Sequence, residues 1–188
     1  MSREHLYQVF ATEEQVRYCR ENIGNMVLRG NGEFTGNEHN WVLGMIGETI
    51  ICDLLDQPRP LQERARDAGA DVIINGLKVD VKVNQRNNTP RVTKDHALVS
   101  ALQEHNTVDA YLFMSYNRPT GRYTIVGWII KQDFLAKATR IPKGNPLPSD
   151  GESIRPARCD TLCLCYKELH RITSIDDIRA IGAEEGRN

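Results

Sequence analysis

The 188-residue sequence contains no apolar run that approaches the roughly 20 residues needed for a membrane-spanning helix. Its N-terminus, MSREHLYQVFATEEQ, lacks the apolar core of a signal peptide. Neither sign of charge is in excess, because the formal net charge is only −1. These absences argue against a membrane protein, a secreted protein and a protein held on nucleic acid by overall charge alone. We therefore expect a cytoplasmic protein.

Cysteine is sparse and odd in number, with five residues in the chain. In a cytoplasmic protein this argues against a framework of disulfide bonds. Cys159, Cys163 and Cys165 lie close together, but their CxxxCxC spacing fits poorly with the CxxC-type pairs of structural zinc sites. Because Leu162 and Leu164 alternate with them, we interpret these cysteines as buried core residues.

The sequence does have the composition of a globular protein, 40% hydrophobic and 26% charged, and its length is enough for a single α/β domain over residues 1–188. A capping box at Thr12 and Gln15 predicts a first helix, and apolar residues at near-helical spacing predict a second from Glu38 to about Leu55. This helical part covers about residues 12–56. Further helices are predicted at 94–105, 131–138 and 174–182, strands at 109–116, 122–130 and 159–166, and a long loop at 141–156. The order of elements predicts a mixed central β-sheet flanked by helices.

The segment GADVIINGLKVDVKV, residues 69–83, predicts a β-hairpin, which we place at about 69–84. Its central Asn-Gly pair is the strongest short signal for a two-residue type I′ turn, and this turn fixes how the two strands pair. In that register Asp71 faces Asp80, and alternation places both on one face with Ile73, Lys78 and Lys82. The other face is entirely apolar: Ala70, Val72, Ile74, Leu77, Val79, Val81 and Val83.

Two aspartates that face each other across a sheet repel each other, so the polar face needs an explanation. One explanation is a solvated surface on which Lys78 and Lys82 balance the charges. The other is a divalent cation between Asp71 and Asp80, because hard cations such as Mg²⁺ take carboxylate oxygens as ligands. Lys82 would then project from the same face beside the metal.

Asp71, followed by Asp80-Val81-Lys82 on the next strand, resembles the D…(D/E)xK signature of the PD-(D/E)XK nuclease superfamily, which has the restriction-endonuclease-like fold. The specific match covers about residues 44–83. Ala70 stands where the family name has proline, a position at which many members also lack it.

Members of that family often add a glutamate from the helix that precedes the hairpin. Here GMIGETIICDLL offers Glu48, after Gly44 and Gly47. The two glycines would let a neighbouring backbone come close to the helix, at a cost of up to about 1 kcal/mol each in helix propensity.

The resemblance implies a Mg²⁺-dependent deoxyribonuclease, with Mn²⁺ as a substitute metal. Asp71, Asp80 and the backbone carbonyl of Val81 would bind the metal, and Glu48 would join them directly or through water. Lys82 would orient the attacking water and stabilise the charge that builds on the phosphate. The implied catalytic residues are thus Glu48, Asp71, Asp80 and Lys82.

The segment that follows the hairpin supplies a polar and basic strip for the substrate. Gln85, Arg86, Arg91 and Lys94 lie in this strip, and they are the predicted contacts to DNA phosphates. We expect the partner to be duplex or branched DNA, with no membrane involved.

Several alternatives remain open at this stage. Within the enzyme class they are an endonuclease, a Holliday-junction-type resolvase and an exonuclease. The small size favours a compact phage- or repair-type enzyme in a bacterial or phage-infected cell. Such an enzyme could act on two strands as a homodimer. Outside it are a non-cleaving nucleic-acid-binding module and a plain structural domain. Cys19 with the three late cysteines superficially resembles the iron–sulfur arrangement of some nucleases of this fold, but the spacing departs from it.

Overall fold

A computed structural model describes residues 5–27, 38–60, 70–148 and 155–183. The strands in these ranges are β1 (Tyr7–Phe10), β2 (Val72–Ile74), β3 (Leu77–Arg86), β4 (His96–Ser100), β5 (Ala110–Asn117), β6 (Arg122–Ile130), β7 (Thr139–Ile141), β8 (Thr161–Cys165) and β9 (His170–Arg171). The helices are α1 (Glu13–Val27), α2 (Glu38–Leu54), α3 (Lys131–Lys137) and α4 (Ile175–Arg179), and short 3₁₀ helices span Ala101–Gln103 and Tyr166–Glu168. None of the described helices is long and apolar enough to cross a bilayer.

The strands form a mixed six-stranded sheet and a second, antiparallel three-stranded sheet. The main sheet has the order β1-β6-β5-β3-β2, and β9 also pairs with β6. Within it β3 and β5 are parallel, whereas the other pairs are antiparallel. The predicted mixed sheet with flanking helices is therefore present, but a second sheet of order β4-β8-β7 accompanies it.

Helix α2 and the second sheet pack on opposite faces of the main sheet. Along β5, Leu112 and Met114 belong to the core that contains α2, whereas Tyr111 and Phe113 belong to the core that contains β4 and β8. This split follows from the alternation of side chains along a strand that is buried on both faces.

The predicted helix at 94–105 is wrong. Residues 96–100 form β4, which pairs with β8, and only Ala101–Gln103 are helical. The segment fits both periods, but pairing with β8 buries Ala97 and Val99, which alternate along the strand, and leaves Leu102 68% exposed. A partner more than sixty residues away along the chain thus decided the conformation.

Most of the other predicted elements are confirmed. The predicted strands at 109–116, 122–130 and 159–166 correspond to β5, β6 and β8, and the helix at 131–138 corresponds to α3. The Thr12 hydroxyl accepts from the Gln15 N–H at 3.1 Å while Gln15 Oε1 accepts from the Thr12 N–H at 2.8 Å, which is the predicted capping box. The predicted loop at 141–156 lies partly outside the described residues, as does the polar connection before the hairpin.

The hairpin has the predicted register over three pairs. Val72 pairs with Val79, and Ile74 pairs with Leu77 around a turn in which Asn75 (φ 49°) and Gly76 (φ 85°) both take the left-handed conformation of a type I′ turn. The ladder does not extend to Asp71, whose N–H instead donates to the Val79 carbonyl at 2.9 Å.

Candidate active site

The middle of β3 places a buried carboxylate beside a lysine. Asp80 is only 4% exposed, so the polar face of the hairpin is not simply a solvated surface. Lys82 lies two residues further on the same face, and its Nζ is 2.6 Å from Asp80 Oδ2. The Lys82 side chain is 18% exposed, so this ion pair is shielded from most of the solvent. Such a pair is held strongly because neither partner can easily exchange the other for water.

Asp71 meets β3 at the point where β2 begins. Its Oδ2 accepts a hydrogen bond from the Val81 N–H at 2.7 Å. The N–H and C=O of one strand residue point to the same edge, so the Val81 carbonyl is also directed toward the edge where Asp71 lies. The two ligand groups predicted from residues 71 and 81, the Asp71 carboxylate and the Val81 carbonyl, therefore lie at one edge of β3.

Glu48 belongs to the same electrostatic cluster. Burial and, next, the negative charge of Asp80 raise the pKa of Glu48 to about 7, with Lys82 acting in the opposite direction. Burial likewise raises the pKa of Asp71, with the charges of Glu48 and Asp80 acting in the same direction and Lys82 and the Val81 N–H acting against it. Three carboxylates thus act on one another around a single ammonium group, an arrangement that we call the acidic cluster: Glu48, Asp71, Asp80 and Lys82.

The donor chemistry of the acidic cluster suits a divalent cation, since carboxylates that repel one another are stabilised by a shared positive charge. The present side-chain arrangement does not offer a ready-made site. In the described part of the chain no three His, Cys, Asp or Glu side chains are arranged to hold a metal ion. Oδ2 of Asp80 forms an ion pair with Lys82, and Oδ2 of Asp71 accepts a hydrogen bond from the Val81 N–H. Cys19, Cys159, Cys163 and Cys165 likewise form no group arranged to hold a metal ion.

Two of the predicted substrate contacts, Gln85 and Arg86, lie at the C-terminal end of β3. Gln85 is on the opposite face of the strand from Lys82, because the two are three residues apart. Its side-chain amide interacts with His39 (3.4 Å) and Arg118 (3.2 Å). Arg91 and Lys94 follow β3 and are exposed in the turn before β4.

Arg86 extends between the two sheets. Its guanidinium group donates to the His96 carbonyl at 2.7 Å and to the Tyr166 hydroxyl at 3.3 Å, and it lies 3.4 Å from the Asp95 carboxylate. Any contact between Arg86 and a substrate would compete with these bonds.

One neighbour of the acidic cluster escaped the sequence-based prediction. Tyr111 on β5 is the register partner of Asp80, and it is fully buried. The sequence predicted that residues 109–116 form a strand, but no local pattern indicates which strand pairs with β3. Only the parallel pairing of β3 and β5 reveals this contact.

Comparison with known proteins adds no assignment: no family model, no curated protein and no solved structure matches this chain.

The raised pKa values predict that the metal-free protein loses stability as the pH rises. The folded state keeps a proton on Glu48 up to about pH 7, whereas an unfolded glutamate releases it near pH 4.3. Between these values the unfolded state binds fewer protons, so increasing pH favours unfolding. Glu48→Gln, which mimics the protonated form, should match the wild type near pH 4.5 and exceed its unfolding free energy by about 2–3 kcal/mol at pH 8.

Urea unfolding in EDTA at both pH values measures this difference. Glu168→Gln is a suitable control, because Glu168 is exposed on the surface, and it should follow the wild-type pH profile. Parallel pH profiles for Glu48→Gln and the wild type would contradict the predicted protonation of Glu48.

Proposed function

We propose that this protein is a metal-dependent nuclease that hydrolyses phosphodiester bonds of DNA. The observation that carries the proposal is the acidic cluster. A helix, the start of a hairpin and the second hairpin strand contribute one lysine and three carboxyl groups that lie close enough for their charges to interact. Their order along the chain matches the order of the PD-(D/E)XK motif. The parallel pair β3–β5 with α2 packed against it also supports a restriction-endonuclease-like fold.

The proposed metal ligands are Asp71, Asp80 and the Val81 carbonyl, with Glu48 in direct or water-mediated contact. Mg²⁺ or Mn²⁺ at this position would lower the pKa of a bound water and polarise a phosphoryl oxygen. Lys82 Nζ is 2.6 Å from Oδ2 of Asp80, so the cation can bind at Oδ1, and it can bind both oxygens once Lys82 releases Oδ2.

Once released, Lys82 is available to the substrate. An ammonium group directed at the phosphate stabilises the negative charge that develops there. Glu48 would contact the metal directly or accept a hydrogen bond from one of its water molecules. Both roles use groups that the fold already holds close together.

A second candidate is a nucleic-acid-binding module that does not cleave. The observations in its favour are the ion pair between Lys82 and Asp80 and the absence, among the described residues, of three side chains arranged to bind a metal ion. The two candidates differ in whether a divalent cation binds at the acidic cluster and supports cleavage.

The deciding experiment is a cleavage screen. We expect the wild-type protein to cut DNA in Mg²⁺ or Mn²⁺ and to be inactive in EDTA, when it is tested on linear, nicked, single-stranded, circular and four-way-junction DNA. Cutting of closed circles would indicate an endonuclease, and paired nicks in four-way junctions would indicate a resolvase. Activity on free ends alone would indicate an exonuclease. An RNA substrate in the same screen tests whether the enzyme acts on DNA or RNA. DNA binding without cleavage in either metal would favour the binding module, and neither activity would leave a structural domain.

A further inference from the structure

The hydroxyl group of Tyr111 is buried without a hydrogen-bond partner among the described residues. The side chain is 0% exposed, and its ring packs against Phe113 and, edge to face at 5.3 Å, against Phe134. A phenol is normally buried with its hydroxyl bonded, because an unsatisfied buried donor destabilises the folded state. Phenylalanine would fill the same space without that cost, so the hydroxyl needs a reason.

The carboxylates near Tyr111 suggest that reason. Asp80 is the register partner of Tyr111 on the adjacent parallel strand, and partners on adjacent strands project from the same face about 4.8 Å apart. Burial, and then the charges of Asp80 and Glu104, raise the pKa of Tyr111. Each of these carboxylates already has a cation, Lys82 for Asp80 and Arg140 for Glu104.

We propose that Tyr111 is a positioning residue, which donates a hydrogen bond to the Asp80 carboxylate when Lys82 leaves it for the substrate phosphate. The inference rests on the proposed function, since it assigns a partner to Asp80 in the state that cleaves DNA. A carboxylate that is 4% exposed cannot regain full hydration when its lysine departs, so a replacement donor is needed nearby. A carboxylate that binds a metal is also oriented by such a donor.

The first test does not depend on cleavage. It measures the effect of Tyr111→Phe on the urea midpoint in two metal-free backgrounds, wild type and Lys82→Met. In the wild type, Lys82 holds Asp80 and the substitution should leave the midpoint unchanged or raise it. In Lys82→Met, Asp80 depends on the phenol, so the same substitution should lower the midpoint. An equal change in the two backgrounds would overturn the proposal. If Lys82→Met does not fold, Lys82→Gln serves as the second background.

The second test uses catalysis, with Tyr123→Phe as the matched control. Tyr123 is also buried and lies on the neighbouring strand β6, but its hydroxyl donates to the Leu43 carbonyl at 3.3 Å, away from the acidic cluster. Tyr111→Phe should lower kcat about 10–100-fold and weaken Mg²⁺ binding in calorimetry without a loss of thermal stability. Tyr123→Phe should lower the melting temperature and leave kcat unchanged.

These outcomes separate the two proposals. Wild-type kcat and Mg²⁺ affinity in Tyr111→Phe would overturn the role of Tyr111. A wild-type protein that cleaves no substrate would overturn the nuclease, whereas the urea measurements would still decide whether Tyr111 replaces Lys82 at Asp80.

Discussion

Lys82→Ala is expected to reduce the rate of metal-dependent DNA cleavage by about a hundredfold or more. The proposed role of Lys82 is to stabilise negative charge on the phosphate, and removing one such group from an enzyme costs about 10²–10³ in kcat. The rate should be measured under single-turnover conditions, with DNA binding in EDTA measured in parallel. We expect binding to be retained, because the acidic cluster contributes no net attraction to phosphates.

Lys78→Ala is the matched control for this experiment. Lys78 lies on the same strand and on the same predicted face, but it is exposed. Its backbone N–H donates to the Asp109 carboxylate at 2.8 Å, and its backbone carbonyl accepts from the Asp109 N–H at 2.8 Å. Its removal should leave the cleavage rate unchanged. If Lys82→Ala cleaves as fast as Lys78→Ala, the lysine has no part in the reaction.

A companion variant separates chemistry from folding. Lys82→Ala leaves the buried Asp80 carboxylate without its cation, so some loss of stability accompanies the loss of activity. Asp80→Asn removes the charge while it retains the shape, and it also relieves the repulsion on Glu48 and Asp71. Cleavage should fall in both variants, whereas stability should fall only where a charge is left unpaired on Asp80.

The hairpin could be predicted from sequence because its information is local. The Asn75-Gly76 pair requires two consecutive left-handed residues, and the structure has them. Alternation then placed Val72, Val79 and Val81 in the core with α2 as predicted, whereas Ala70, which lies beyond the ladder, packs against the other core. The capping box at Thr12 and Gln15 could be predicted for the same reason.

Features that depend on distant partners could not be predicted. Residues 96–100 fit a helix as well as a strand until β8 is known to lie beside them. Arg86 looks like a substrate contact in a basic strip, but the second sheet brings Asp95 and Tyr166 to its guanidinium group. The contact between Asp80 and Tyr111 depends on which strand lies next to β3, and that order is set by the whole sheet.

Replacing Gly44 or Gly47 of α2 with alanine should change the free energy of unfolding in opposite directions. A methyl group at Gly47 would lie 2.4 Å from Val83 Cγ2 and 3.4 Å from Met114 Sδ. A methyl group at Gly44 would have no atom of the described residues within 4 Å. The expected close approach therefore exists at Gly47, where it is made by side chains of β3 and β5, and not at Gly44.

Gly44→Ala should raise the free energy of unfolding by up to about 1 kcal/mol, since alanine is the better helix former and the site has room. Gly47→Ala gains the same propensity but overpacks the contact between helix and sheet, which typically costs 1–3 kcal/mol. We expect a net loss of about 1–2 kcal/mol for Gly47→Ala. Urea unfolding of the two variants measures both signs, and equal stability of the two would contradict the packing at Gly47.

The Gly47 contact also connects stability to the acidic cluster. Val83 is β-branched and cannot easily rotate away, so α2 must shift outward from the sheet when Gly47 becomes alanine. Glu48 is the next residue of α2, and this shift would move its carboxylate away from Asp80. Cleavage by Gly47→Ala should therefore fall even under conditions in which the variant is fully folded, whereas Gly44→Ala should cleave at the wild-type rate. Adding Val83→Ala removes the colliding methyl group, and it should restore part of both the stability and the rate in the Gly47→Ala background.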